Sequence, residues 1–205
     1  MATTRSATKA SASPTTTYAH APSGFTLFWL AISLPLVIWD CGYVLLRPRT
    51  MEGGDLHWPI WAPYALYGEV DHVYGWKAFN SGNGFTGAQG FLNVLETVMY
   101  AYYALVYFQN AVPVVGGTKK VVGRKAAIAV LVAFSAAVMT LSKTILYWLC
   151  EYFSGFDNIG HNSLQDLIFL WIIPNGAWLI GPTVMIFELG GELVNNLAGA
   201  GVKRD

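Results

Sequence analysis

Residues 91–112 read FLNVLETVMYAYYALVYFQNAV, an apolar run whose one formal charge is Glu96. At 1.5 Å per residue in a helix, the run covers roughly the 30 Å thickness of a bilayer core. Its apolar residues are continuous and do not alternate, which predicts a membrane-spanning helix and not a barrel strand. Working outward, three further stretches have the same character: Phe25 to Leu46, Ala126 to Leu149 and Leu167 to Phe187. The expected fold is therefore all-α, an integral-membrane four-helix bundle. Pro35, Pro174 and Pro182 fall inside spans, where kinks are expected.

Composition agrees. The 205 residues are 54% hydrophobic and only 12% charged, with 12 Lys plus Arg against 12 Asp plus Glu. Soluble domains carry about 25% charged residues, so a water-soluble globule is excluded. A net charge of zero leaves no basic field for nucleic acid. No Gly-rich phosphate loop, GxSxG elbow or CxxC motif is present, and nothing in the chain calls for a cofactor.

Lys and Arg set the expected topology. Arg5, Lys9, Lys119, Lys120, Arg124, Lys125, Lys203 and Arg204 lie on one side of the four spans, against Arg47, Arg49 and Lys77 on the other. Both termini are thus expected to be cytoplasmic, with the first and third loops luminal or outside. Residues 1–24, rich in Ser, Thr, Ala and Pro, read as a disordered tail, with a transit peptide as the alternative. The membrane domain is placed at 25–190 and a C-terminal tail at 191–205.

The loop from Arg47 to Gly90 interleaves Trp58, Trp61, Tyr64, Tyr67, Tyr74 and Trp76 with Pro and Gly. Amphipathic rings favour the headgroup layer, so an interfacial lid resting on the bundle is expected. Asp55, His57, Asp71 and His72 have no recurring ligand spacing and make a weak metal candidate. Cys41 and Cys150, in or beside spans, form no disulfide framework and read as buried thiols, a bridge between them being the alternative.

Within the spans only Asp40, Glu96 and Lys143 are charged. Counted from the luminal ends at 1.5 Å per residue, all three lie roughly 8 to 9 Å deep. Asn175 and Trp178 of the fourth span follow at about 12 and 16 Å. Such groups must face inward, pair or stay neutral, which predicts a polar pocket inside the bundle. Glu96, Tyr100 and Tyr103 recur at i, i+4 and i+7, and Lys143 and Tyr147 at i, i+4, so rings should stand beside the charges. Carboxylates above aromatic faces suit a lipophilic substrate that passes through a cation. The structural alternative is a register-fixing Asp40–Lys143 ion pair, with Glu96 bonded to Asn175.

These residues carry a resemblance. Leu95, Glu96 and Thr97 resemble the Met-Glu-Thr segment of the emopamil-binding-protein family, whose four-helix EXPERA module is shared with the sigma-2 receptor. Asn175, Gly176, Ala177 and Trp178, followed by Pro182, are similar to its Asn-Ala-Leu-Trp motif. Leu146, Tyr147 and Glu151 match its Leu-Tyr-Phe-Leu-x-Glu stretch, and Asp40 stands where members carry a first-helix acid. The resemblance implies a membrane sterol isomerase of the endoplasmic reticulum, which protonates a ring alkene, holds a carbocation and removes a different proton. It implies Glu96 and Asp40 as catalytic carboxylates, Asn175 as an orienter and Trp178 as a cation-π wall. Two departures alter the proton inventory: the family's His four residues before the first-helix acid is Leu36 here, and its third-helix acid is Thr144, with Lys143 beside it.

The leading expectation is double-bond isomerisation in a sterol-like substrate at Glu96 and Asp40, with Asn175, Trp178, Tyr100, Tyr103, Tyr147 and Lys143 in the binding pocket. The alternatives are isomerisation or cyclisation of a terpenoid or polyketide intermediate in secondary metabolism, and non-catalytic binding of a sterol or cationic amphiphile. The expected partners are that lipophilic small molecule and membrane lipids, with homodimer formation left open.

Overall fold

The structure is a computed structural model that describes residues 17–114 and 118–201. Four long helices dominate it. Helix α1 spans Gly24–Leu45, α4 Phe85–Asn110 and α5 Arg124–Phe153. The last helical stretch begins as α6, Leu164–Asp166, passes through a π turn at Leu167–Ile172 and continues as α7, Ile173–Gly201. All four are long and apolar enough to cross a membrane, the architecture of a multi-pass helical bundle. Phe28, Val98, Phe108, Ile180 and Phe187 stand exposed on their outer faces, a surface that suits lipid and not water.

Local chemistry accounts for the ends and irregularities. Ser23 caps α1 by accepting a hydrogen bond from the Thr26 N–H at 3.0 Å. Gly123 precedes α5 with φ of 71°, a conformation that favours glycine. The π turn lies directly before Pro174, whose ring cannot sit against the carbonyl of an ordinary turn and which donates no hydrogen bond.

Helix α5 packs against both α4 and α7, and α4 against α1. Ala126, Ala129, Ala133, Ala136 and Ala137 form a fully buried stripe along α5, and these small side chains let the neighbouring helices approach closely. Gly90 serves the α1–α4 contact, since a Cβ there would stand 2.7 Å from Val44 Cγ1.

The chain outside the long helices is more ordered than expected. Residues 1–16 of the expected N-terminal tail lie outside the described residues. Residues 17–24, by contrast, are built into the fold. There β1, Ala19–His20, pairs antiparallel with β3, Lys119–Val122, which also pairs with β2, Val112–Pro113. His20 donates through Nδ1 to Glu192 Oε2 at 2.8 Å, and its Nε2 is hydrogen-bonded to the Tyr103 hydroxyl at 2.7 Å. The hydroxyls of Ser23 and Thr26 donate to Glu188 Oε2 at 2.7 and 2.9 Å. These contacts hold the segment against α7. The expected C-terminal tail at 191–205 is likewise helical as far as Gly201.

The segment after α1 folds over the end of the bundle and contains α2, Pro63–Val70, and α3, Trp76–Asn80. It is stapled to α1 by hydrogen bonds from Trp39 Nε1 to the Ile60 carbonyl (2.9 Å), Trp61 Nε1 to the Trp39 carbonyl (3.1 Å) and the Tyr43 hydroxyl to the Tyr74 carbonyl (2.9 Å). The Tyr43 and Tyr64 rings stack at 3.8 Å.

Candidate functional site

A cavity of about 480 Å³ opens between α1, α2, α4, α5 and the last helical stretch. That volume suits a drug-sized or polycyclic ligand. Asp40, Glu96, Lys143, Asn175 and Trp178 all line it, as do Tyr100 and Tyr147, so seven of the sequence-derived candidates converge on one space. Leu36, Leu66 and Phe169 line it too while remaining exposed on the outside of the bundle, so the cavity reaches its lateral surface.

The three intramembrane charges form one hydrogen-bonded chain. Lys143 Nζ lies 2.9 Å from Glu96 Oε2 and also donates to Asn93 Oδ1. The side chains of Lys143 and Glu96 are 10% and 5% exposed, so this is a buried pair. Asn93 in turn donates through Nδ2 to Asp40 Oδ2 at 3.1 Å, and Asp40 Oδ1 accepts from the Tyr64 hydroxyl at 2.8 Å. Lys143 therefore pairs with Glu96, and Asp40 is held by two neutral donors. The Asp40–Lys143 pair of the structural alternative is not formed, and Asn93 bonds to both.

The Thr140 hydroxyl lies 2.8 Å from Glu96 Oε2 and 3.3 Å from the Tyr100 hydroxyl. Both Thr140 and Lys143 thus address the same carboxylate oxygen. The other oxygen, Oε1, is buried and has no hydrogen-bond partner among the described residues. An unpartnered carboxylate oxygen beside an aromatic-walled cavity is a group suited to proton transfer to or from a ligand carbon.

Asn175 does not reach Glu96. It donates through Nδ2 to the Trp171 carbonyl at 2.9 Å and to the Tyr67 hydroxyl at 3.3 Å. Trp178 meets Trp29 edge-on at 5.1 Å, which places an indole wall on the cavity. Tyr103 is a correction to the expected site: it does not line the cavity, and its hydroxyl is spent on His20. Below Tyr100 the ring of Tyr103 packs with the alanines of α5 in one buried cluster.

The aromatic loop is a second correction. It does more than lie across the bundle, because Pro63, Tyr64, Tyr67, Val70, Val73 and Tyr74 form one wall of the cavity. Asp71, fully buried, anchors this wall: it accepts from the Val73 N–H at 3.0 Å, from Trp171 Nε1 at 2.9 Å and from the Tyr147 hydroxyl. Burial outweighs these donors and pushes its carboxyl up to about 7.

The four residues of the weak metal candidate go separate ways. Asp55 pairs with Arg49 at 2.7 Å, His57 donates to the Thr50 carbonyl at 2.9 Å, and His72 stacks on His161 at 4.0 Å. Cys41 and Cys150 are free thiols.

Sequence reasoning missed Asn93, Thr140 and Tyr64. The first carried a signal, since Gln89, Asn93, Glu96 and Tyr100 recur at helical spacing on one face. Thr140 stands one turn before Lys143 on α5. Tyr64 carried none, because nothing local marks a loop tyrosine as a partner of Asp40. No protein-family model, curated protein or solved structure matches the chain.

Proposed function

We propose that this protein is a membrane-embedded isomerase that shifts a carbon–carbon double bond in a sterol-like, lipophilic polycyclic substrate. The reading rests on one observation above the others: lining a cavity of about 480 Å³ with aromatic walls, Glu96 has one carboxylate oxygen without a partner among the described residues while Lys143 and Thr140 hold the other.

The chemistry needs no co-reactant. A carboxylic acid adds a proton to one alkene carbon, leaving a tertiary cation at the other. A carboxylate then removes a proton from the neighbouring carbon on the far side, and the double bond re-forms one position along. One proton enters and one leaves. Asp40, held by Tyr64 and Asn93 and without a cation of its own, serves as the acid. Glu96 Oε1 serves as the base, with its charge balanced by Lys143. The rings of Trp178 and Tyr100 stabilise the intervening cation without offering it a nucleophile.

The resemblance to the emopamil-binding-protein family supports this reading and carries with it an EXPERA-like fold and the endoplasmic-reticulum membrane, while the Lys and Arg distribution supports cytoplasmic termini. Lys143 supports a second reading, in which the same site isomerises or cyclises a terpenoid intermediate. Its ammonium and the absence of an acid at Thr144 alter the proton inventory from that of the sterol isomerases.

Microsomes containing the protein, supplied with a delta-8 sterol in deuterated water, should return deuterated delta-7 product. Glu96→Gln should lower the rate by roughly 10²- to 10⁴-fold, the usual range for a lost acid–base group. No conversion at full expression, with Glu96→Gln indistinguishable from wild type, would sink the proposal.

A further inference from the structure

The segment 154–163, between α5 and α6, lies against the end of α2 and the turn that follows it. Lys77 Nζ pairs with Asp157 Oδ2 at 2.7 Å, and the His72 N–H donates to the Asn158 carbonyl at 3.2 Å. His161 Nε2 donates to the Glu69 carbonyl at 2.7 Å, and Asn162 Nδ2 to the Val70 carbonyl at 2.7 Å. Ile159 is buried in one cluster with Val70 and Val73, two residues of the cavity wall. The imidazoles of His72 and His161 bridge the same junction, stacked face to face at 4.0 Å and within 4° of parallel.

This stack suits two neutral rings and resists a second charge. An imidazolium donates from both nitrogens. His72 Nδ1 is buried and has no partner among the described residues, so the charged ring would bury an N–H without an acceptor. One charged ring can rest on the face of a neutral one, but two charged rings at this spacing repel. The neighbouring charges do not offset that cost. Glu69 and Asp157 favour a proton on His72, yet Asp157 is paired with Lys77, which opposes it. Asp71, next in the chain, is turned to Trp171 and Tyr147. Burial, His161 and Lys77 together hold the His72 imidazole below its usual range.

We infer that the stacked His72–His161 pair is an acid-sensitive latch, closed while both rings are neutral and opened by proton uptake, through which pH controls the wall of the cavity. The closed latch has the lower proton affinity, so its stability is complete above about pH 6.5, the ordinary histidine value, and is lost as pH falls below it. Asp71 acts with the opposite sign, since its contribution is lost as pH rises. Ligand affinity should follow the latch. That consequence rests on the cavity being the ligand site, as in the proposed function, whereas the latch itself does not.

The test is hydrogen exchange of the full chain in detergent micelles, read by mass spectrometry in peptides spanning 68–79 and 155–163 and corrected for the intrinsic pH dependence of amide exchange. Peptides from α5 serve as the measure of folding. In wild type, protection of both segments should fall between about pH 7.5 and about pH 5, by up to about tenfold per pH unit for one proton taken up on opening. His72→Phe keeps a ring against His161 and removes the buried nitrogen, and His161→Gln keeps a donor for the Glu69 carbonyl without the second imidazole. Both variants should hold their protection at the acid end, and Asp71→Asn should open as wild type does. Equal protection of wild type at the two pH values, or a loss that persists in both histidine variants, would overturn the inference. Opening that depends on the two histidines, in a protein giving no deuterated delta-7 sterol, would defeat the isomerase reading and leave the latch standing.

Discussion

Lys143 is paired with Glu96 across the α4–α5 interface, Nζ to Oε2 at 2.9 Å, while Asp40, in the same polar chain, is reached only through Asn93. The two carboxylates of the cavity therefore differ in kind. One is charge-balanced and the other is held by neutral hydrogen bonds, which is the asymmetry that acid and base roles require.

Removing Lys143 should be costly, because it leaves a buried carboxylate without its cation. Lys143→Met is expected to lower stability by about 3 to 5 kcal/mol, and adding Glu96→Gln should restore most of that loss. Thermal unfolding of the four combinations in micelles measures the coupling. Additive effects would mean that the pair contributes no joint stabilisation.

Tyr64→Phe removes the hydroxyl that donates to Asp40 at 2.8 Å and leaves the ring stacked on Tyr43. Loss of a hydrogen bond to the neutral acid, about 0.5 to 1.5 kcal/mol, should cost roughly 2- to 10-fold in kcat/KM for the delta-8 sterol. An unchanged value would remove Asp40 from the reaction.

The two tyrosines of the α4 stripe should separate cleanly. Tyr103→Phe loses one hydrogen bond to His20 and should lower stability by about 1 kcal/mol with ligand affinity unchanged. Tyr100→Phe, on the cavity wall beside Thr140, should alter ligand affinity. Binding isotherms and melting curves on both variants decide it.

Asp71 sets a pH dependence whose sign is fixed. Its carboxyl is raised to about 7 by burial, so between about pH 4 and 7 the folded chain retains a proton that the unfolded chain has released. Its contribution to stability is complete below that window and is lost as pH rises through it. In Asp71→Asn the fall of Tm with pH from 4 to 7 should flatten, and an unaltered slope would assign the dependence to other groups.

The spans were legible because a helix in lipid must be apolar along nearly its whole length, and the three charges stood out against that background at one depth. Depth, however, follows from counting, whereas partner choice follows from helix rotation and from intervening side chains. Thus Asp40, Glu96 and Lys143 could be placed together, but the insertion of Asn93 between Asp40 and Lys143 could not be read. Tyr103 lies on the same face as Glu96, yet it packs into the buried cluster of the α5 alanines, and that packing depends on a different helix. The loop aromatics carried the opposite ambiguity. A tyrosine suits a headgroup layer and a pocket equally well, and only partners distant in sequence, Asp40 for Tyr64 and Asn175 for Tyr67, turn those rings inward.

The wall built from the segment between α1 and α4 has a consequence for biogenesis. Asp71 is held by Trp171, Tyr67 by Asn175 and the Val70 carbonyl by Asn162, all of them residues made more than ninety positions later. During synthesis the first three helices can enter the bilayer and the segment can dock on α1 and on Tyr147, but its contacts to Asn162, Trp171 and Asn175 must wait for the last helical stretch. The cavity is thus completed only at the end of translation, and a nascent chain stopped before residue 162 would be inserted as far as it goes and yet lack part of the cavity wall.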